Sequence, residues 1–108
     1  MVMGTVGQLD RLLPSVRKDV DAAVEALSCL PEVRRIWLFG SLAKGRRPDF
    51  RSDLDLAVEG LRAEDHLSAL GRLEEVLRLP PDLVRWEKAH PVLRQEIQQW
   101  GILVYDRS

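Results

Sequence analysis

The segment SDLDLAVE, residues 52–59, constrains this chain more than any other. Side chains alternate along a strand, so Leu54, Leu56 and Val58 share one face while Asp53 and Asp55 share the other. The aliphatic set anchors the strand in a core and leaves two carboxylates side by side at its start. Like charges that close repel unless a cation lies between them. Hard carboxylate oxygens suit Mg²⁺, which keeps several waters and takes substrate phosphates as further ligands. Asp-x-Asp pairs are also common in exposed acidic turns, and the segment alone leaves both readings open.

Around this strand the hydrophobic pattern changes period repeatedly. Residues 15–29 read as an amphipathic helix, with Val16, Val20, Val24 and Leu27 on one side and Arg17, Lys18, Asp21 and Glu25 on the other. Pro14 suits its start and Pro31 its end; residues around Leu9 to Leu13 suggest a separate helical turn. VRRIWLF (33–39) reads as a buried strand, LDLAVE (54–59) as a second. Residues 63–78 suit a helix with Leu67, Leu70, Leu73 and Leu77 on one stripe. Pro80-Pro81 breaks it before DLVRW (82–86), a third strand. His90-Pro91 opens a last helix carrying Leu93, Ile97 and Trp100, stopped by Gly101, and ILVYD (102–106) is the final strand. With a short helix after Gly40, the order is α-β-α-β-α-β-α-β: an α/β or α+β fold with a small mixed sheet.

Two further features bear on chemistry. Gly40-Ser41 lies where the first strand gives way to that short helix, with Gly45 soon after. Glycine lets a backbone approach a ligand closely, and the first amides of a helix point outward unpaired, a seat for phosphate oxygens. The same pair also suits an ordinary turn. Asp82 opens the third strand, where a third carboxylate would complete a two-metal site. An Asp after Pro-Pro is equally good turn chemistry, and alternation does not settle which way Asp82 points.

Other properties narrow the function. With 16 Lys and Arg against 17 Asp and Glu, the formal charge is −1, so nothing draws the chain globally to nucleic acid or anionic membranes. Lys44, Arg46, Arg47 and Arg51 could face a triphosphate or form a solvated basic loop. Cys29 is the sole cysteine, so an intrachain disulfide is excluded, and its apolar helical setting predicts a buried thiol. His66 and His90 lack metal-ligand spacing, and His90 before Pro91 reads as a helix entry. No Ser–His–Asp pattern supports nucleophilic hydrolysis. Trp37, Trp86 and Trp100 lie in apolar segments and read as core or interface. Neither a signal peptide nor a membrane-spanning stretch is visible, and a cytoplasmic location is expected.

LFGSLAKG followed by SDLDLAVEG, with DLV downstream, resembles the minimal nucleotidyltransferases of the DNA polymerase beta superfamily, small proteins often encoded beside a HEPN-domain partner. The resemblance spans roughly residues 15–105. It implies a nucleotidyltransferase fold, a single domain over residues 1–108, and Mg²⁺-dependent transfer of a nucleotidyl group, typically AMP from ATP, to a protein hydroxyl. The acceptor it implies is a HEPN toxin in a hetero-oligomer, with this chain as antitoxin. By the same resemblance Gly40 and Ser41 hold the triphosphate and Asp53 and Asp55 bind both metals. Asp82 binds the catalytic metal and helps deprotonate the acceptor. Two departures stand out. The spacer from Ser41 to Asp53, positions 42–52, is 11 residues, one longer than the commonest form, and falls in a loop that tolerates insertion. Position 42 is Leu where many relatives carry a basic residue. Two other readings remain: an antitoxin acting by contact with weak or absent catalysis, and transfer to a small molecule across a homodimer.

Overall fold

The computed structural model describes residues 12–49 and 51–107. Helix α1 runs Pro14–Ser28, strand β1 Arg35–Phe39, β2 Leu54–Glu59 and α2 Ala63–Val76. They are followed by β3 Pro81–Arg85, a 3₁₀ turn Trp86–Lys88, α3 Pro91–Trp100 and β4 Ile102–Asp106. The strands form one mixed sheet in the order β3-β2-β1-β4. β1 is antiparallel to both β2 and β4, whereas β2 and β3 run parallel across the α2 connection.

Local signals account for the helix ends. Pro14 occupies the first turn of α1, where a missing N–H costs nothing. Glu64 and Asp65 lie in the first turn of α2, where negative charge meets the positive end of the helix dipole. At α3 the His90 Nδ1 accepts the Val92 N–H at 3.1 Å, with Pro91 next, so His90 is a helix cap as its sequence position implies.

The sheet is covered on both faces. Ile36 and Leu38 of β1, and Leu54, Leu56 and Val58 of β2, pack on one face against Val16, Val20, Ala23 and Leu27 of α1 and Ala69 and Leu73 of α2. Each such buried aliphatic side chain contributes on the order of 1.5–3 kcal/mol. The opposite face carries Phe39, Ala57 and α3's Ile97, joined by Trp37, Val84, Trp86 and Leu93. Trp37 and Trp86 stack with centroids 4.6 Å apart, and the Arg94 guanidinium lies 5.3 Å from the Trp86 ring. Asp55 and Asp82 belong to this second face, beyond its apolar patch.

Three expectations need correction. The chain after Gly40 is a wound turn over residues 41–45 rather than a helix, closed by Lys44 N–H to Ser41 O and Gly45 N–H to Leu42 O, each 3.1 Å. Leu67 is not core; it is 79% exposed. The buried stripe of α2 is centred on Ala69 and Leu73, and at 100° per residue Leu67 falls outside its edge. Cys29 is exposed, because it sits at the C-terminal cap of α1, past the last buried turn. Trp100, 55% exposed, keeps only the interface half of its core-or-interface reading. Of the turn expected around Leu9 to Leu13, residues 9–11 lie outside the described residues; Leu12 forms a bend and Leu13 is the extended cap of α1.

Candidate active site

The sheet brings three chain ends to one edge. β1 ends where β2 and β3 begin, because β1 is antiparallel to β2 and β2 is parallel to β3. Phe39 lies opposite Asp55, and Asp55 lies opposite Asp82. Gly40, one residue past Phe39, has φ +79°, and a Cβ there would overlap Asp55 Oδ2. Its lack of a side chain is therefore required twice, by the left-handed backbone and by the carboxyl that rests on it. Ser41 follows, half-buried, and its carbonyl also accepts the Arg46 N–H at 3.2 Å.

Asp55 is half-buried, while Asp53 and Asp82 are exposed. The Asp55 and Asp82 carboxyls are hydrogen-bonded to each other. Two carboxyls can share such a bond only when one carries a proton. Burial, then the charges of Asp82 and Asp53, then that bond push the Asp55 carboxyl up from 3.8 to about 6. Asp53, two residues ahead and just before β2 begins, acts on it by charge. As they stand, no three His, Cys, Asp or Glu side chains among the described residues enclose a cation. The donor set nevertheless fits Mg²⁺: hard oxygens, mutual repulsion, and a proton a cation can replace.

The approach to these acids is fixed by residues the sequence reading passed over. Asp49 Oδ1 accepts the Arg51 N–H at 2.8 Å, and Ser52 Oγ accepts the Asp49 N–H at 2.8 Å, forming a tight turn directly before Asp53. On the other side, Leu54 N–H donates to Pro80 O at 2.8 Å, which ties the Asp53–Leu54 step to the entry of β3. An Asp-x-x-Ser pattern, 49–52, was the available signal. Lys44, Arg46, Arg47 and Arg51 are all exposed. A cleft of about 650 Å³ lies on the far flank of the turn, lined by Ala43, Lys44, Gly45, Gln99, Trp100 and Ile102. The carboxylates are outside it.

Residues 21–108 match the family described as polymerase beta, nucleotidyltransferase. The chain belongs to that family. A protein described as a minimal nucleotidyltransferase is 30% identical, with a TM-score of 0.57, and the match covers 74% of this chain and 86% of that one. A crystal structure of a toxin–antitoxin with AMP-PNP is 26% identical, with a TM-score of 0.72 and coverage of 82% and 74%. The Shewanella oneidensis complex of a tri-AMPylated HEPN toxin with its MNT antitoxin is 23% identical over 84% and 72%, with a TM-score of 0.67, a likeness of fold. No curated protein matches. This nucleotidyltransferase thus carries the fold and family that its Gly-Ser and Asp-x-Asp segments implied. Among its described residues no helix is long and apolar enough to cross a membrane.

Proposed function

We propose that this nucleotidyltransferase moves AMP from ATP, with Mg²⁺, to a hydroxyl of a HEPN-domain protein, and so acts as the antitoxin of a cytoplasmic toxin–antitoxin pair. The reading rests on one observation: Asp55 and Asp82 meet across parallel strands, with Asp55 directly over Gly40. Similarity to a toxin–antitoxin structure with AMP-PNP supports the nucleotide and the partner class, and one domain over residues 1–108 supplies the catalytic half.

In this reading Gly40 and Ser41 line the triphosphate with backbone amides and a hydroxyl. Asp53, Asp55 and Asp82 would hold Mg²⁺, which when bound neutralises triphosphate charge and favours departure of pyrophosphate. Asp82, the exposed partner of Asp55, accepts the proton of the acceptor hydroxyl. The acceptor oxygen forms a bond to the α-phosphorus, the bond from that phosphorus to the bridging oxygen of the β-phosphate breaks, and pyrophosphate leaves. Positioning and charge neutralisation provide most of the acceleration.

The test is incubation with α-labelled ATP, Mg²⁺ and the HEPN-domain protein encoded beside it. Label on that protein, lost on Asp53→Asn with Asp55→Asn, is the expected outcome. Neutralisation of the toxin that survives both substitutions, with no label transferred, would replace catalysis by contact.

A further inference from the structure

Strand β3 lies at the edge of the sheet and pairs only with β2. Its position decides whether Asp82 stands beside Asp55, yet a two-sided ladder does not hold it. Two side chains outside the site take over that task. Asp19 of α1 is 3% exposed, the one buried charged residue among those described. Its Oδ1 accepts the Arg78 N–H at 3.1 Å and its Oδ2 the Leu79 N–H at 2.9 Å. These amides directly precede Pro80, whose carbonyl accepts the Leu54 N–H. On the other side of Asp82, the half-buried His66 of α2 donates its Nε2–H to Leu83 O at 2.9 Å.

We infer that Asp19 and His66 are positioning residues that clamp β3 on either side of Asp82 and so set the separation of Asp82 from Asp55. The inference rests on the reading of Asp82 as a metal ligand given above. A carboxylate fully inside a helix–sheet interface is expensive unless both oxygens are satisfied. Here both are spent on consecutive amides 59 and 60 residues away in sequence, and no packing role requires a charge. An apolar side chain would fill the space between α1 and the connector without fixing its backbone. Asp19→Asn keeps the shape but can accept only one of the two amides, and its NH₂ opposes the other. His66→Ala removes the donor to Leu83 O, and His66→Gln can restore one.

Mn²⁺ is the probe, titrated into the full chain and followed by the paramagnetic resonance of the free ion. Amide hydrogen exchange at Leu54 is measured alongside. Asp19→Asn is expected to weaken Mn²⁺ binding about ten- to hundredfold, the scale seen for outer partners of metal ligands. It should also speed exchange at Leu54 while Gly101, bonded to Ile97 O, keeps its protection. His66→Ala should act in the same direction, and His66→Gln should recover most of the affinity. If Asp19→Asn does not fold, the His66 pair decides alone. Wild-type Mn²⁺ affinity and Leu54 exchange in Asp19→Asn and His66→Ala would overturn the inference. A wild-type chain that binds no Mn²⁺, with Leu54 still loosened by Asp19→Asn, would overturn the metal reading and uphold the clamp.

Discussion

Asp55→Asn should make the metal-free protein more stable near pH 8 while abolishing its stabilisation by Mg²⁺. Folding raises the Asp55 carboxyl from 3.8 to about 6, so the native state disfavours the ionised form. Stability linked to this group is fully present below about pH 4 and is lost as pH rises through about 6. A shift of about two units corresponds to roughly 3 kcal/mol at 1.36 kcal/mol per unit. Because solvent screens a partly exposed group, about 1–2 kcal/mol is the realistic penalty. Asn carries no charge, and its amide can donate to Asp82 as the protonated Asp55 does. At about 4–8 °C per kcal/mol for a domain near this size, the midpoint should rise by roughly 4–16 °C near pH 8. The assay is thermal unfolding by circular dichroism in chelator, at about pH 4 and pH 8, for wild type and variant. Taking the difference between proteins at each pH cancels titrations they share. Near pH 4 the advantage should shrink to a minor part of its value at pH 8. Equal midpoints at pH 8, or the same offset at both pH values, would refute the claim that these carboxyls crowd one another. Added Mg²⁺ should raise the wild-type midpoint only.

Gly40→Ala should remove transferase activity and destabilise the fold by about 1–3 kcal/mol, since it strains a left-handed backbone and drives a methyl into Asp55; retained labelling in the HEPN assay would contradict the geometry. Mg²⁺ affinity should fall as pH drops below about 6, where Asp55 takes up its proton, which calorimetric titration at about pH 5 and 8 measures. Leu73→Ala, at a fully buried site, should lower stability by about 2–5 kcal/mol in urea unfolding. Leu67→Ala on the same helix should change it by less than about 0.5 kcal/mol.

Elements whose signal lies in their own residues were legible in the sequence. LDLAVE and ILVYD form the strands their residues suggest, and α3 begins at Pro91 because His90 and Pro91 supply cap and first turn locally. Cys29 was misread because the helix ends before it, and Leu67 for another reason. Hydrophobic spacing reports a helix but not where its buried face is centred, and a neighbouring helix decides that. The expected helix after Gly40 failed because one turn is not long enough to declare itself by period. Asp19 escaped notice because a charged residue among charged neighbours reads as surface until the partner amides, some 60 residues away, are placed beside it.

The sequence by itself paired Asp53 with Asp55 through alternation, a local property, although β2 itself begins at Leu54 and Asp53 stands just ahead of it. It could not determine whether Asp82 joins them, because that depends on the register of a parallel pair whose strands are separated by a helix. The parallel β2–β3 register, the Leu54 to Pro80 bond and the packing of the helices behind the sheet settle that point. Parallel pairing carries no turn of its own to set the register, so contacts distant in the chain must do so.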